Sequence, residues 1–540
     1  MTDSGNAMRY LEMHSRERPN HIALRFVDRE YTYAEVHEET GRLAQAFGDL
    51  GVQRGDTICL IMPNCPEFVF TWYALARLGA ITVPINGEYT EDRLARLINT
   101  ASAEIVVVDS RYSESLSSAL TLGTKVHTII HHGSRPETGA DQFRTIEFST
   151  LGAGKSDAGP WTSVGPLDTF MLVFTSGSTG EAKAVEISHG FAESFTTSLA
   201  NYAGYNRDDV LFTCFPLFHA DAALTTVLPA LILGGTAAIV ERFSASRFWD
   251  QIRSLEATAF TAMGAVQGIL LNRDPSEGDR DHQVRVTVAG AVHDRVREFE
   301  DRFGLQLIQV YGGTEFGLVA FHRDGRPAPG IIGRATEYHE ILVADDDDVP
   351  VPPGTTGQLL VRPRVPQACM SGYYGDGAET ARVWRNLWYH TGDLGYVDNA
   401  GVLHFAGRAK DVIRRRGRNI PPAEIETVLR THPDVLDCAA IAVPSELIED
   451  EIKAVIESRP GTNLGIDDIA ELARQRLPRY MQPRYIEIVE EIPKTPTGKL
   501  NKPKLRQDWK TPSTVDLDRK RTDRDERSEA TAGGTLRSLP

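Results

Sequence analysis

The chain has 540 residues, too long for one hydrophobic core, so roughly two to four domains are expected. Hydrophobic residues make up 41% and charged residues 24%, the balance of an ordinary globular enzyme. The formal net charge of -16 argues against nonspecific binding to nucleic acid or to an anionic membrane. The five cysteines, Cys59, Cys65, Cys214, Cys369 and Cys438, stand far apart with no CxxC pair. That spacing excludes a zinc ribbon and a dense disulfide framework and suits a reducing cytoplasm.

The first stretch, "MTDSGNAMRYLEMHSRERPN", has no apolar run flanked by basic residues, so no signal peptide is expected. "DTICLIMPN" then reads as a strand and "EFVFTWYALARLGA" as a helix ending at Gly79. "ITVPIN" is a strand, "TEDRLARLINTA" a helix capped by Thr90, and "EIVVVDS" a strand again. In that helix Leu94, Leu97 and Ile98 share one face. "VLPALIL", from Val227, is too short to span a bilayer. Farther on, "VRVTVAGA", "DRVREFEDRFG" and "LQLIQVYGGTE" repeat strand, helix, strand. "ILVADDDDVPVPPGTTGQLLVR" gives two strands around a turn, a small β subdomain. The fold class is therefore α/β: a large N-terminal domain, 1–407, of parallel-rich sheets flanked by helices, plus the β subdomain. Residues 408–510 read as an α+β module, and 511–540, charged and without aromatics, as a disordered tail.

Four loops carry chemistry. In "VFTSGSTGEAKAVEISH" a strand leads into small and hydroxyl residues around Gly177 and Gly180, followed by Lys183. Small residues let backbone N–H groups approach phosphate oxygens. The Walker pattern fails here, and a polar surface turn would have the same composition. In "VYGGTEFG", Tyr311 is suited to stacking on a base, Thr314 to a phosphate and Glu315 to Mg²⁺, or the segment is a solvated turn. In "YHTGDLGYVDNAGVLHFAGRAKD", a hairpin by pattern, Asp393 and Arg408 suit ribose hydroxyls. In "PKTPTGKLNKPKLR", Lys499 is placed to neutralise charge in phosphoryl or nucleotidyl transfer, or belongs to a basic patch.

Taken in order, "TSGSTGEAK", "YGGTE", "YHTGD", "GRAKDVIRRRGRNIPPAEIE" and "PKTPTGKL" resemble the adenylate-forming superfamily of acyl-CoA synthetases, luciferases and peptide-synthetase adenylation domains. "FSASRFWDQIR" and "TAMGAVQGILLN" further resemble its crotonobetaine/carnitine-CoA ligase branch. The resemblance implies a ligase that uses ATP, Mg²⁺ and CoA, activates a carboxylic acid as acyl-AMP and passes it to the CoA thiol. It implies that Thr175, Ser176, Gly177, Ser178, Thr179, Gly180 and Lys183 hold the β- and γ-phosphates. Tyr311 and Gly312 would lie against adenine, Thr314 at the α-phosphate, Glu315 at Mg²⁺, and Asp393 and Arg408 at the ribose. Lys499 would meet the reacting centre, and the C-terminal module would be mobile about a hinge at Lys410. Arg416 and Gly417 would line the CoA path. His219, Asp221, Gly290 and Ala291 would border the acyl pocket, with His219 also a candidate for contacting the reacting carboxylate.

Two stretches depart from the family pattern. Its usual Pro-Lys-Gly is Ala182-Lys183-Ala184 here, and its Gly-Gly-Ala-Pro turn is "AGAVH". Both put a standard fatty-acid substrate in doubt. Other acceptors stay open, among them a carrier-protein thiol, or nitrite activation for diazotising an aryl amine, as does a noncatalytic binding protein on the same fold. A cytoplasmic protein with no nucleic-acid partner and no membrane span is expected, and a homodimer is compatible with the sequence.

Overall fold

Helix Pro66–Leu78 shows how this chain builds its layers. Pro66 opens it, where a missing backbone N–H leaves no hydrogen bond unmade. Every residue but Glu67 is buried, so the helix lies between layers rather than on a surface. It stops at Gly79, whose φ is 70°, and a Cβ there would sit 2.8 Å from Val164 Cγ1. Backbone and packing both require glycine at that stop. Helix Glu91–Thr100 buries Leu94, Leu97 and Ile98 as its periodicity predicts. Thr90 stands at its N-cap, but the hydroxyl donates to Asp92 at 2.6 Å instead of accepting a backbone N–H.

The computed structural model describes residues 6–134, 142–152, 161–176, 182–290, 292–293, 295–323, 325–415, 418–420, 422–445, 450–494 and 500–518. The chain divides into two units. The first comprises Met1–Leu342, Leu360–His390 and Gly401–Leu403; the second comprises Val343–Leu359, Thr391–Ala400 and His404–Pro540.

The first unit carries two sheets. One runs in the order Arg144–Glu147, Thr128–His132, Ile105–Asp109, Thr57–Ile61, Ile81–Pro84, Thr169–Ser176, Ala182–Ser188. Its strands are parallel except the last pair, an antiparallel hairpin. The other contains the run Ile331–Ala335, Gly317–His322, Gln306–Gly313, Val286–Ala289, Ala259–Thr261, Val210–Thr213, Thr236–Ile239, Ile22–Arg25, Glu30–Thr32. From Gln306–Gly313 to Ile22–Arg25 every neighbour is parallel. These are the parallel-rich sheets that the strand–helix alternation predicts. Among the described residues no helix is long and apolar enough to cross a membrane.

In the second unit, Val435–Pro444, Asp450–Ser458, Tyr485–Val489 and Val515–Asp516 form a four-stranded sheet in that order. Asp450–Ser458 and Tyr485–Val489 are parallel, so their connection needs a crossover, supplied by helix Ile466–Arg476. That helix and Pro422–Leu429 bury Ile469, Ala473, Ile425 and Leu429 in one core. The folded chain runs past residue 510, where composition placed the start of a disordered tail. Arg484 donates two hydrogen bonds to Asp516, at 3.1 and 3.0 Å. The buried Lys453 ammonium reaches Glu487, the Trp509 carbonyl and Thr514. The anchors for 509–518 are thus charges inside the sheet, which the composition of the tail does not display. Residues 519–540 lie outside the described residues.

Strand Ala182–Ser188 passes directly into helix His189–Ala203, with Ser188 accepting the Phe191 N–H at 3.1 Å. His189 is 1% exposed, its ring centroid lies 4.7 Å from that of Phe170, and neither ring nitrogen has a hydrogen-bond partner. Burial holds its pKa down to about 4 against an ordinary 6.5. The unfolded chain therefore takes up a proton that the fold refuses. Stability linked to His189 is intact above pH 6.5 and falls by ~1.4 kcal/mol per pH unit toward pH 4, about 3 kcal/mol in all. In urea unfolding, His189→Phe is expected to flatten that loss between pH 7 and pH 4.5. An unchanged pH slope would assign the acid sensitivity elsewhere.

Candidate active site

Strands Val210–Thr213, Ala259–Thr261, Val286–Ala289 and Gln306–Gly313 are consecutive parallel neighbours. The segments leaving their C-terminal ends therefore emerge along one edge, where ligands bind in sheets of this kind. Those segments bring His219 and Asp221, then Gly290, then Thr314 and Glu315. His219 caps a short helical turn, Ala220–Ala222, with its ring 4.7 Å from that of Phe218. Thr225 donates to the Asp221 backbone carbonyl at 2.5 Å, its hydroxyl lying 3.4 Å from Asp221 Oδ1, as the turn enters the π-helical segment Ala223–Val227.

Glu315 is placed by a tight turn. Gly313 pairs with Gly317 across Thr314, Glu315 and Phe316, and a Cβ on Gly312 would lie 2.3 Å from the Gly317 carbonyl oxygen. Only glycine permits that approach. The Met370 N–H holds the Glu315 carbonyl at 2.8 Å. Tyr311 lies at the bulge just before the turn, half-buried, 5.7 Å from the Phe316 ring.

The hairpin of the other sheet meets this turn. Thr175 pairs with Lys183 across its two strands, and Thr175 Oγ1 donates to Glu315 Oε1 at 3.1 Å. Alternation along Ala182–Ser188 sends Ala184, 2% exposed, into a core with Leu172 and leaves Lys183 on the opposite face. The alanines that replace the family's proline and glycine are thus strand residues flanking the lysine. Ala184 also accepts the Tyr374 N–H at 2.8 Å.

Three residues that no motif marks complete the cluster. Lys183 pairs with Glu379, and Arg382 donates to both oxygens of that carboxylate, at 2.5 and 2.7 Å. Arg382, and then Lys183, hold the Glu379 pKa down to about 2. The Tyr373 ring lies 5.2 Å from Lys183 Nζ, and its hydroxyl donates to Glu315 Oε1 at 3.4 Å. Burial and the Glu315 charge push the Tyr373 phenol well above its usual range, so it stays a donor. The only sequence signal for these residues is local: Asp376 caps helix Gly377–Val383 by accepting the Glu379 N–H.

In the second unit, Asp393 is 4% exposed and pairs with Arg408 at 3.1 Å. Lys410 is exposed, in the turn Ala409–Asp411. Gly177, Ser178, Thr179, Gly180, Ala291, Arg416, Gly417 and Lys499 lie outside the described residues, as does the side chain of Ser176.

A hydroxyl and a carboxylate meeting at 3.1 Å beside a lysine form an oxygen donor set for a hard cation with phosphate. Mg²⁺ fits such a set, because it takes one or two carboxylates and leaves its other positions to phosphates and water. Among the described residues no group of three or more His, Cys, Asp or Glu is placed to hold a metal ion by itself.

The AMP-binding enzyme model matches residues 11–374, and the AMP-binding enzyme C-terminal domain model matches 424–499. The chain belongs to the AMP-binding enzyme family. This AMP-binding enzyme is 29% identical over 490 residues to a crotonobetaine/carnitine–CoA ligase of Salmonella arizonae, covering 88% of this chain and 93% of that one. Its fold is that of ATP-bound MatB from Rhodopseudomonas palustris, with a TM-score of 0.83 and 24% identity over 93% of this chain and 99% of that one. An anthranilate CoA ligase, AuaEII, holding anthranoyl-AMP, superposes with a TM-score of 0.84 at 24% identity, covering 94% and 98% of the two chains.

Proposed function

We propose that this AMP-binding enzyme is an ATP-dependent acid–CoA ligase. The observation that carries the reading is the hydrogen bond from Thr175 to Glu315, two motif residues 140 positions apart, with Lys183 paired across the hairpin from Thr175. In the first half-reaction a carboxylate oxygen of the acid bonds to the α-phosphorus of ATP. The α–β bridging bond breaks, giving acyl-AMP and pyrophosphate. In the second, the CoA thiol attacks the acyl carbon and AMP leaves.

The hairpin loop with Lys183 grips the leaving pyrophosphate, and Tyr311 packs on adenine beside Gly312. Thr314 donates to the α-phosphate, and Asp393 with Arg408 orients the ribose. Glu315 and Thr175 would hold Mg²⁺, which when bound offsets charge along the phosphate chain. Lys499 meets the reacting oxygens, and rotation at Lys410 exchanges it for the CoA path of Arg416 and Gly417. His219, Asp221, Gly290 and Ala291 border the acyl pocket. Asp221 supplies a negative charge there, which suits an acid that also carries a cationic or amino group.

Pyrophosphate release is measured over a panel of carboxylic acids and nitrite, with and without CoA, and products are identified by mass spectrometry. Release with one class of acid, and its thioester when CoA is added, is the expected result. No release with any acid overturns the ligase reading. Asp221→Ala is expected to reorder the panel, losing amino-bearing acids first, and an unchanged ranking would remove Asp221 from the pocket.

A further inference from the structure

Lys183 and Arg382 converge on the same oxygen, Oε1 of Glu379. That carboxylate is only 14% exposed, and Arg382 fixes it through both oxygens. The segment bearing Glu379 is locked to the strand bearing Lys183. The Tyr374 N–H reaches the Ala184 carbonyl at 2.8 Å, and the Glu186 N–H reaches the Gly372 carbonyl at 2.9 Å. Ser371 returns a bond to the Glu186 carbonyl at 3.1 Å, and Val185 bridges Tyr373. Glu379 and Lys183 are therefore parts of one frame.

We infer that Glu379 is a positioning residue for the nucleotide polyphosphate, aiming the Lys183 ammonium while Arg382 cancels the carboxylate charge. The inference rests on the ATP-binding reading. An ammonium has three donors; one spent on Glu379 leaves two for phosphate oxygens. A lysine held by a carboxylate and a ring face has less rotamer freedom left to lose when phosphate arrives. Glu379 alone would neutralise Lys183 and weaken its attraction for phosphate. With Arg382 present, the trio keeps a net charge of about +1, and Glu379 remains ionised at neutral pH.

Calorimetric titration of the full chain with MgATP and with AMP, no acid present, separates charge from aim. Arg382→Gln brings the trio to neutrality and is expected to weaken ATP roughly fivefold, leaving AMP within about twofold. Adding Glu379→Gln to Arg382→Gln restores the positive charge and keeps an oxygen facing Lys183, so ATP affinity returns. Adding Glu379→Ala to Arg382→Gln restores the charge without that oxygen, so ATP stays weak. Equal recovery by the Gln and Ala double variants overturns the positioning role. So does an Arg382→Gln protein that binds ATP normally or that loses AMP as much as ATP. A wild-type chain that binds no ATP overturns the ATP reading itself, before any variant is compared.

Discussion

Lys499→Ala is expected to slow pyrophosphate release roughly 1000-fold, while thioester formation from supplied acyl-adenylate and CoA stays within a few-fold of wild type. The asymmetry follows from where charge builds. As the carboxylate oxygen bonds to the α-phosphorus, negative charge grows on the phosphoryl oxygens, and a cation placed there lowers the barrier more than it tightens ground-state binding. The second half-reaction forms its bond at the acyl carbon and proceeds, in the proposed alternation, with the lysine withdrawn. The base from which Lys499 springs is defined on both sides. Lys494 bridges Leu500, the Asn501 N–H meets the Pro493 carbonyl at 2.8 Å, and Lys494 pairs with Glu457 at 3.4 Å. Assaying the two half-reactions separately tests the role, and equal losses in both would make Lys499 a structural residue.

How legible this was in the sequence depended on range. Helix Pro66–Leu78 and the buried face of Glu91–Thr100 follow from composition and periodicity within a dozen residues, and they stand as predicted. Thr175, Lys183, Tyr311 and Glu315 were marked by short motifs, and the structure brings Thr175 and Glu315 together. Tyr373, Glu379 and Arg382 were invisible. The Lys183–Glu379 pair spans 196 positions and depends on the register that sets residues 371–374 beside strand Ala182–Ser188. Alternation hid a second fact. "RRRGRN" reads as one cationic run, yet Arg415 turns inward, pairing with Glu451 at 2.8 Å and donating to the Gln482 carbonyl. A one-dimensional charge count treats neighbours alike, while successive strand residues face opposite sides.

Glu315→Gln should lower pyrophosphate release roughly 500-fold at modest Mg²⁺ and recover part of that loss as Mg²⁺ is raised. The amide keeps the shape of the side chain and one oxygen for the Thr175 and Tyr373 hydroxyls, so the turn at Gly312 and Gly313 is not disturbed. What disappears is the negative charge of the carboxylate that Thr175 and Tyr373 reach, the charge with which the proposed site holds a divalent ion. Tyr373→Phe tests the same point from the other side. It removes a donor from Glu315 without removing charge, so a fall of only a few-fold is expected. If Glu315→Gln and Tyr373→Phe gave equal losses and neither responded to Mg²⁺, the carboxylate would be serving the turn and not the ion. A large, Mg²⁺-dependent loss in the first and a small, independent one in the second places the ion at Glu315. One carboxylate would then suffice, since phosphates and water fill the other positions of the ion.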